Sequence, residues 1–261
     1  MKEFGLQIYT VRNTMDTAEN IAMTFKKIKE MGYSSFQTAG TPAVSYEEFG
    51  KMAAEAGLEI VGTHDDFAMM ENDFEQALAN HKAMGTKLMG IGGYHVKPDE
   101  TDSKGWAEFI DRVNAVAAKC AEHGMKFTYH NHSHELIKLD NGKTALEMMA
   151  EGFDKDNVSF VLDTFWVQHG GGDVRRWIEK LAGRIDILHL KDMKRLPHFE
   201  EKRGYQYFAE IGNGNLDWEA ILETAEKAGV KYYVVEQDTC PGDPFDSVKM
   251  SADYLKANFV K

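Results

Sequence analysis

Cysteine is almost missing from this chain: Cys120 and Cys240 are the only two in 261 residues. That leaves no disulfide framework and no cysteine-based zinc site. Positive charge is also short, with 30 Lys and Arg against 42 Asp and Glu and a formal net charge of −12. Nucleic-acid binding needs clustered basic side chains to neutralise phosphates, so a general nucleic-acid binder is disfavoured and the acidity reads as solubility. No apolar run is long enough to cross a bilayer, and Met1-Lys2-Glu3-Phe4-Gly5 lacks the hydrophobic stretch of a signal peptide. A cytoplasmic protein with neither membrane nor nucleic acid as partner is expected. Low-complexity tracts and Pro/Gly-rich linkers are absent as well, so residues 1–261 are expected to form a single domain. What remains, 43% hydrophobic and 28% charged, is ordinary globular composition.

The apolar pattern alternates between strand and helix. Strands are expected at Phe4–Tyr9, Tyr33–Thr38, Leu58–His64, Lys87–Ile91, a fifth from Met125, then Val158–Asp163, Ile185–Asp192 and Tyr232–Asp238. Between them fall helical patterns with start and stop signals. Asp16 or Thr17 opens a helix carrying Ile21, Phe25, Ile28 and Met31, which Gly32 ends; Ser45 opens a second, ending at Gly57. Further helices are expected at Asp73–Gly85, around Trp106 to Cys120, at Thr144–Ala150, at Asp173–Ala182, after Asp217, and at Asp246–Phe259. Met23, Met31, Met52 and Cys120 read as core. Eight strands alternating with eight helices fit a closed (β/α)₈ TIM barrel. An open doubly wound sheet competes, but no Gly-x-Gly-x-x-Gly follows the first strand.

The fifth strand runs into Tyr129-His130-Asn131-His132-Ser133-His134-Glu135. One histidine there would be ordinary; three in five positions, ending on a glutamate, suggest a site. In a barrel of this kind the site lies at the C-terminal strand ends. Those ends read His64, His130-Asn131-His132, Asp163, His189-Leu190-Lys191-Asp192 and Glu236-Gln237-Asp238. Strand parity aims His130, Asp163, His189 and Glu236 at the barrel axis from neighbouring strands. Two imidazoles and two carboxylates suit one divalent cation such as Mn, Co, Zn or Mg. Taken singly, each has a plainer explanation, and a helix N-cap would account for Asp163.

Other positions carry weaker signals. Lys191 shares the face of His189 and suits a substrate oxygen, or simply a pairing acid. His64 and His132 stand at strand ends as further substrate contacts. Tyr9 and Trp166 could wall a sugar ring or merely pack. Gly212-Asn213-Gly214 lies where barrels often seat phosphate, although a tight turn before an Asp217 cap explains it equally well. Arg195 to Tyr207, with Phe199, Arg203 and Tyr205, reads as a lid, a subunit contact in a homo-oligomer, or a solvated loop.

In this order, one per strand end, the stretches Gly5–Arg12, Tyr129–His132, Leu162-Asp163-Thr164, His189–Asp192, Gly212–Gly214 with Asp217-Trp218, and Glu236–Asp238 resemble the xylose-isomerase-like TIM-barrel superfamily. Within it they resemble the sugar phosphate isomerase/epimerase group, over the whole chain. The resemblance implies a metal held by Asp163, His189 and Glu236, and an arginine like Arg195 six residues past the histidine. Superfamily epimerases carry a glutamate at the position of His130; a histidine there is similar to inosose-dehydratase-like members. Glu135, five residues on, would serve instead if its loop folded back.

The expected activity is isomerisation or epimerisation of a keto or aldehydo sugar, phosphorylated or not, through an enediolate. Glu236, His130, Lys191 and Glu135 are the expected catalytic residues, beside the metal set His130, Asp163, His189 and Glu236. Losing the paired glutamates makes dehydration of a keto-inositol or keto-sugar the alternative. A metal-dependent hydrolase ranks lower, because amidohydrolase-type barrels carry their His pair on the first strand, where this chain has Gln7 and Tyr9. A barrel AP endonuclease ranks lower still, and a non-catalytic sugar-binding barrel is the remaining reading.

Overall fold

The computed structural model describes residues 1–197 and 207–260. Eight parallel strands form the barrel: β1 Gly5–Gln7, β2 Ser35–Ala39, β3 Glu59–His64, β4 Leu88–Ile91, β5 Lys126–His130, β6 Val158–Asp163, β7 Ile185–Leu190 and, after a hairpin of β8 Asp192–Lys194 and β9 Tyr207–Ala209, β10 Tyr232–Val235. Their order is β3-β2-β1-β10-β7-β6-β5-β4. The two ends of that sheet meet where the Asp65 N–H donates to the Gly90 carbonyl at 2.8 Å. The barrel is therefore nearly closed, with helices outside, as the alternation implied.

Two apolar layers hold it. Inside, Val61, Val161, Ile187 and Val234 make a small plug, all nearly inaccessible to water. Outside, a continuous layer including Leu6, Phe36, Phe127, Phe160 and Leu188 packs against the helices. Burying side chains of this kind contributes about 1.5–3 kcal/mol each. Parity along β6, β7 and β10 then dictates the next tier, because the residues two beyond Val161, Ile187 and Val234 are Asp163, His189 and Glu236.

The helices follow their caps. Thr17 caps α1 (Ala18–Glu30), Ser45 caps α2 (Tyr46–Glu55), and Thr144 with Glu147 makes a full capping box on α6 (Ala145–Gly152). Asp73 caps α4 (Phe74–Met84), and α5 (Ser103–Glu122) carries Trp106 and Cys120 into the core. Asp173 and Asp217 cap α8 (Val174–Lys180) and α9 (Trp218–Lys227), and α10 runs over Pro244–Asn258 from an Asp243 cap, slightly earlier than expected. Two short helices, α3 (Phe67–Asn72) and α7 (Thr164–His169), and the β8–β9 hairpin were not expected from the sequence.

Two expectations are corrected. The first strand stops at Gln7 rather than Tyr9, because the Gln7 side chain accepts the Tyr9 N–H and turns the chain into a 3₁₀ helix over Ile8–Thr14. Met23 is 55% exposed rather than core, since it sits between the Ile21 and Phe25 turns on the outer face of α1. Phe199, Arg203 and Tyr205 of the expected lid lie outside the described residues.

Candidate metal centre

The four side chains singled out at the strand ends converge. One nitrogen or oxygen from each of His130, Asp163, His189 and Glu236 lies within 4.8 Å of the others, and all four residues are buried. His130 Nε2 is 3.3 Å from Asp163 Oδ2, and His189 Nδ1 is 3.0 Å from Glu236 Oε2 and 3.5 Å from Asp163 Oδ2. The far side of each ring is tied: His130 Nδ1 faces the Gly92 carbonyl at 3.2 Å, and His189 Nε2 lies 2.5 Å from Gln37 Oε1. Rings anchored in this way present their remaining nitrogen to the centre, as metal-binding imidazoles do.

Lys191 is buried beside them, 1% exposed. Its Nζ lies 2.6 Å from Asp238 Oδ1, 3.1 Å from Glu236 Oε2 and 3.7 Å from Asp163 Oδ2. Burial disfavours that ammonium, but Glu236, Asp163 and Asp238 outweigh it and hold its pKa above the ordinary lysine range. Burial likewise works against Asp163 and Glu236, yet Lys191 and the adjoining histidines keep both carboxyls well below their usual range. For His189, burial pulls down while Glu236 and Asp163 pull up harder, to about 9. Once the His189 proton is displaced, three carboxylates against one lysine leave two negative charges in a low-dielectric site, where unbalanced charge is costly. One divalent cation matches that deficit and leaves both histidines neutral, so the donor set fits such an ion in chemistry and in charge.

Above the four lies a pocket of about 410 Å³, lined by Tyr9, His64, Asp65, His132, Lys191 and Asp238 among others. The His64 ring is 4.8 Å from that of His130 and 5.5 Å from that of His189. Burial, then His130 and His189, push its pKa well below the histidine range. His132 packs against His130 at 4.8 Å and Trp166 at 5.1 Å. His64 Nε2, His132 Nδ1 and Trp166 Nε1 are buried without hydrogen-bond partners. Trp166 also covers the Lys191 ammonium, 4.8 Å from its ring centre. Tyr9 stands at the mouth, 40% exposed, with the Arg12 guanidinium stacked on it.

Two sequence candidates fall elsewhere. Glu135 points outward from β5: it accepts the Tyr129 hydroxyl at 2.7 Å and the His132 N–H at 2.8 Å, with His134 Nδ1 at 3.4 Å. Tyr129 belongs to the outward-facing parity of the strand, so the loop folds Glu135 toward the helices and away from the centre. Arg195 is exposed beyond β8, its N–H on Asn215 Oδ1 at 2.9 Å, and is not part of the pocket's described lining.

The Gly212–Gly214 turn is already filled. Asp192 accepts from the Gly212 and Gly214 N–H groups at 3.0 and 3.1 Å, from Leu216 N–H at 3.3 Å and from Trp218 Nε1 at 2.7 Å. These donors, which sequence reading left open as a phosphate seat, close on an internal carboxylate. Gln7, Gln37, Asp65 and Asp238 were not singled out as site residues. The signal for Gln37 was faint, because its strand also carries Ser35 and Thr38 and no single polar residue stands out.

Three comparisons agree with this architecture. A family model described as "Xylose isomerase-like TIM barrel" matches residues 25–258. The chain is 23% identical over 210 residues to an inosose dehydratase of Clostridium perfringens (strain 13 / Type A), covering 70% of each. A sugar phosphate isomerase/epimerase from Parabacteroides distasonis ATCC 8503 superposes with a TM-score of 0.83 at 22% identity, over 100% of this chain and 96% of that one. The probable 3-DHS dehydratase of Bacillus anthracis superposes at 0.74 with 16% identity, over 98% and 99%.

Proposed function

Since this chain belongs to the xylose isomerase-like TIM barrel family, we propose that it is a divalent-metal-dependent enzyme that enolises a keto or aldehydo sugar, giving isomerisation or epimerisation. The observation that carries this reading is the buried set of His130, Asp163, His189 and Glu236 with Lys191 beside it, at the floor of a pocket of about 410 Å³. A cation of the Mn, Co, Zn or Mg kind would be held by those four, and when bound it polarises a carbonyl and acidifies the adjoining C–H.

The chain's own groups supply the rest. Glu236, kept ionised by Lys191 and His189, accepts the proton from carbon. The Lys191 ammonium offsets negative charge that develops on the substrate oxygens. His64, His132 and Tyr9 line the pocket around the ligand, with Trp166 packed against His132 and Lys191, and the two unpartnered histidine nitrogens gain partners from a polyhydroxylated molecule. With the Gly212–Gly214 amides closed on Asp192, the reading is of a sugar without phosphate at that position.

Dehydration of a keto-inositol or keto-sugar is supported about equally, and a specific observation favours it. The centre has His130 on β5 where an epimerase of this family would place a second glutamate, and Glu135 faces the helices. In this version Glu236 takes the proton, the carbon–oxygen bond one carbon further breaks, and the departing hydroxide leaves as water while the new double bond conjugates with the carbonyl. The proton for that hydroxide is assigned to Lys191, whose ammonium stands 3.1 Å from Glu236 at the same rim, while His130 is kept for the cation. The cytoplasm is the proposed location.

The test is incubation with a panel of keto-sugars and inososes in D₂O with Mn²⁺, following deuterium at carbon and loss of water. Exchange that disappears on chelation supports the reading; no exchange with any ketone, and ligand binding indifferent to chelator, favours a non-catalytic barrel. Replacing Glu236 with Gln is expected to abolish turnover while sparing the fold and much of the ligand affinity. Unchanged turnover would count decisively against it.

A further inference from the structure

Neither ring nitrogen of a histidine announces where its proton sits, but the bonds around Gln7 leave little choice. The backbone N–H of Tyr9 lies 3.1 Å from one end of the Gln7 amide, and an N–H can only donate, so that end is the oxygen. The Gln7 NH₂ therefore faces inward, 3.1 Å from Gln37 and 3.4 Å from His64 Nδ1, with the Thr38 carbonyl at 3.5 Å. The Gln37 atom it meets has to be the oxygen. That same oxygen is 2.5 Å from His189 Nε2, which must then be the N–H. In the cation-free chain Nδ1 is protonated too and faces Glu236 Oε2 at 3.0 Å; once a cation displaces that proton, the Nδ1 lone pair is aimed at the centre.

The same amide decides His64. A proton on Nδ1 would abut the Gln7 NH₂, donor against donor, so Nδ1 is the acceptor and Nε2 carries the hydrogen. Nε2 is buried and has no partner, and the ring overhangs His130 and His189. The arrangement has a visible cost: the Gln37 NH₂ is buried without a partner. Flipping Gln37 would set its NH₂ against that of Gln7, donor facing donor. A buried amide left short of an acceptor is uncommon unless something else requires its orientation.

We propose that Gln7 and Gln37 are positioning residues that set both tautomers at once, and that the donor so presented, the Nε2–H of His64, grips an oxygen of the ligand lying over the four-residue centre. The identity of that ligand as a keto-sugar or keto-inositol rests on the proposed function; the protons on His64 Nε2 and His189 Nε2 rest on the chain alone. A neutral N–H aimed at a carbonyl or hydroxyl oxygen stabilises charge that builds there without surrendering a proton.

The experiment is long-range ¹H–¹⁵N correlation on histidine-labelled full-length protein with Zn²⁺ added. His64 and His189 are both expected as Nε2–H tautomers. Gln7→Glu keeps an oxygen for Tyr9 N–H but offers His64 only a second acceptor, so the His64 proton is expected to move to Nδ1. A wild-type His64 protonated on Nδ1, or a tautomer unmoved in Gln7→Glu, overturns the relay. Gln37→Met, which leaves the backbone untouched, is expected to weaken Zn²⁺ binding about 10- to 100-fold, as loss of a ligand's outer hydrogen bond does; unchanged affinity also overturns it. Adding an inosose is expected to shift the His64 Nε2–H resonance, and no shift sinks the ligand contact. Should deuterium exchange fail with every ketone while the tautomers stand as described, the proposed function falls and the relay does not.

Discussion

Asp163 has two oxygens and uses them differently. Oδ1 accepts the Trp166 N–H at 2.9 Å and caps α7, while Oδ2 faces His130, His189 and Lys191. Helix cap and metal ligand were competing readings of this residue in the sequence; the fold makes the cap and leaves the second oxygen in place for a cation. Asp163→Asn is therefore expected to keep the cap and the fold yet lose most cation affinity, whereas Asp163→Ala also gives up the cap, about 1 kcal/mol of stability. Thermal melts beside Mn²⁺ titrations separate the two, and equal cation affinity in wild type and Asn variant would remove Asp163 from the centre. His189 makes a second prediction. In the cation-free chain burial lowers its pKa, but Glu236 and Asp163 raise it to about 9, so it is charged at neutral pH. A cation has to displace that proton. Binding is thus expected to release protons and to strengthen as pH rises toward about 9, after which the dependence flattens. Calorimetry in two buffers of different ionisation enthalpy reads the protons directly.

At the level of elements, the barrel is joined at a seam that tolerates no side chain. A Cβ on Gly90 would lie 2.2 Å from Thr128 Oγ1 and 2.5 Å from the Thr63 carbonyl oxygen, on the strands either side of it. Gly90 also donates to Thr63 Oγ1 at 3.1 Å and accepts from Asp65 N–H. Gly90→Ala is expected to destabilise by about 1–3 kcal/mol, the usual cost of overpacking, and to disturb His64 and Asp65 at the same rim. Urea unfolding measures the first, and a wild-type midpoint would mean that the seam relaxes freely. Elements with strong local signals were legible in advance: caps at Thr17, Ser45, Thr144 and Asp217, and strands with clean parity. The misses share a cause. The 3₁₀ turn after β1 depends on a Gln7 side chain bonding two residues ahead, α7 is a six-residue helix begun by a site residue, and the β8–β9 hairpin pairs Asp192–Lys194 with Tyr207–Ala209 across the chain. None of these leaves a periodic trace.

For the whole molecule, a centre whose three carboxylates outnumber its cationic side chains ties stability to the cation. Chelation is expected to lower the melting temperature by several degrees, since saturation at a hundredfold excess over Kd is worth about 2.7 kcal/mol and a chain of this size shifts by about 2–4 °C per kcal/mol. Scanning fluorimetry with and without EDTA checks it, and a melt indifferent to both EDTA and Mn²⁺ would argue against any bound ion. The sequence by itself determined the barrel and the four-residue centre, because the alternation of strand and helix is local and parity along a strand carries Asp163, His189 and Glu236 inward without further help. Only the tertiary structure decided which way Glu135 turned, what filled the Gly212–Gly214 amides, and that Gln7 and Gln37 link two histidines. Those outcomes depend on where a loop folds back and on contacts between strands far apart in the chain, as between Gln37 and His189, and no local pattern records such distances.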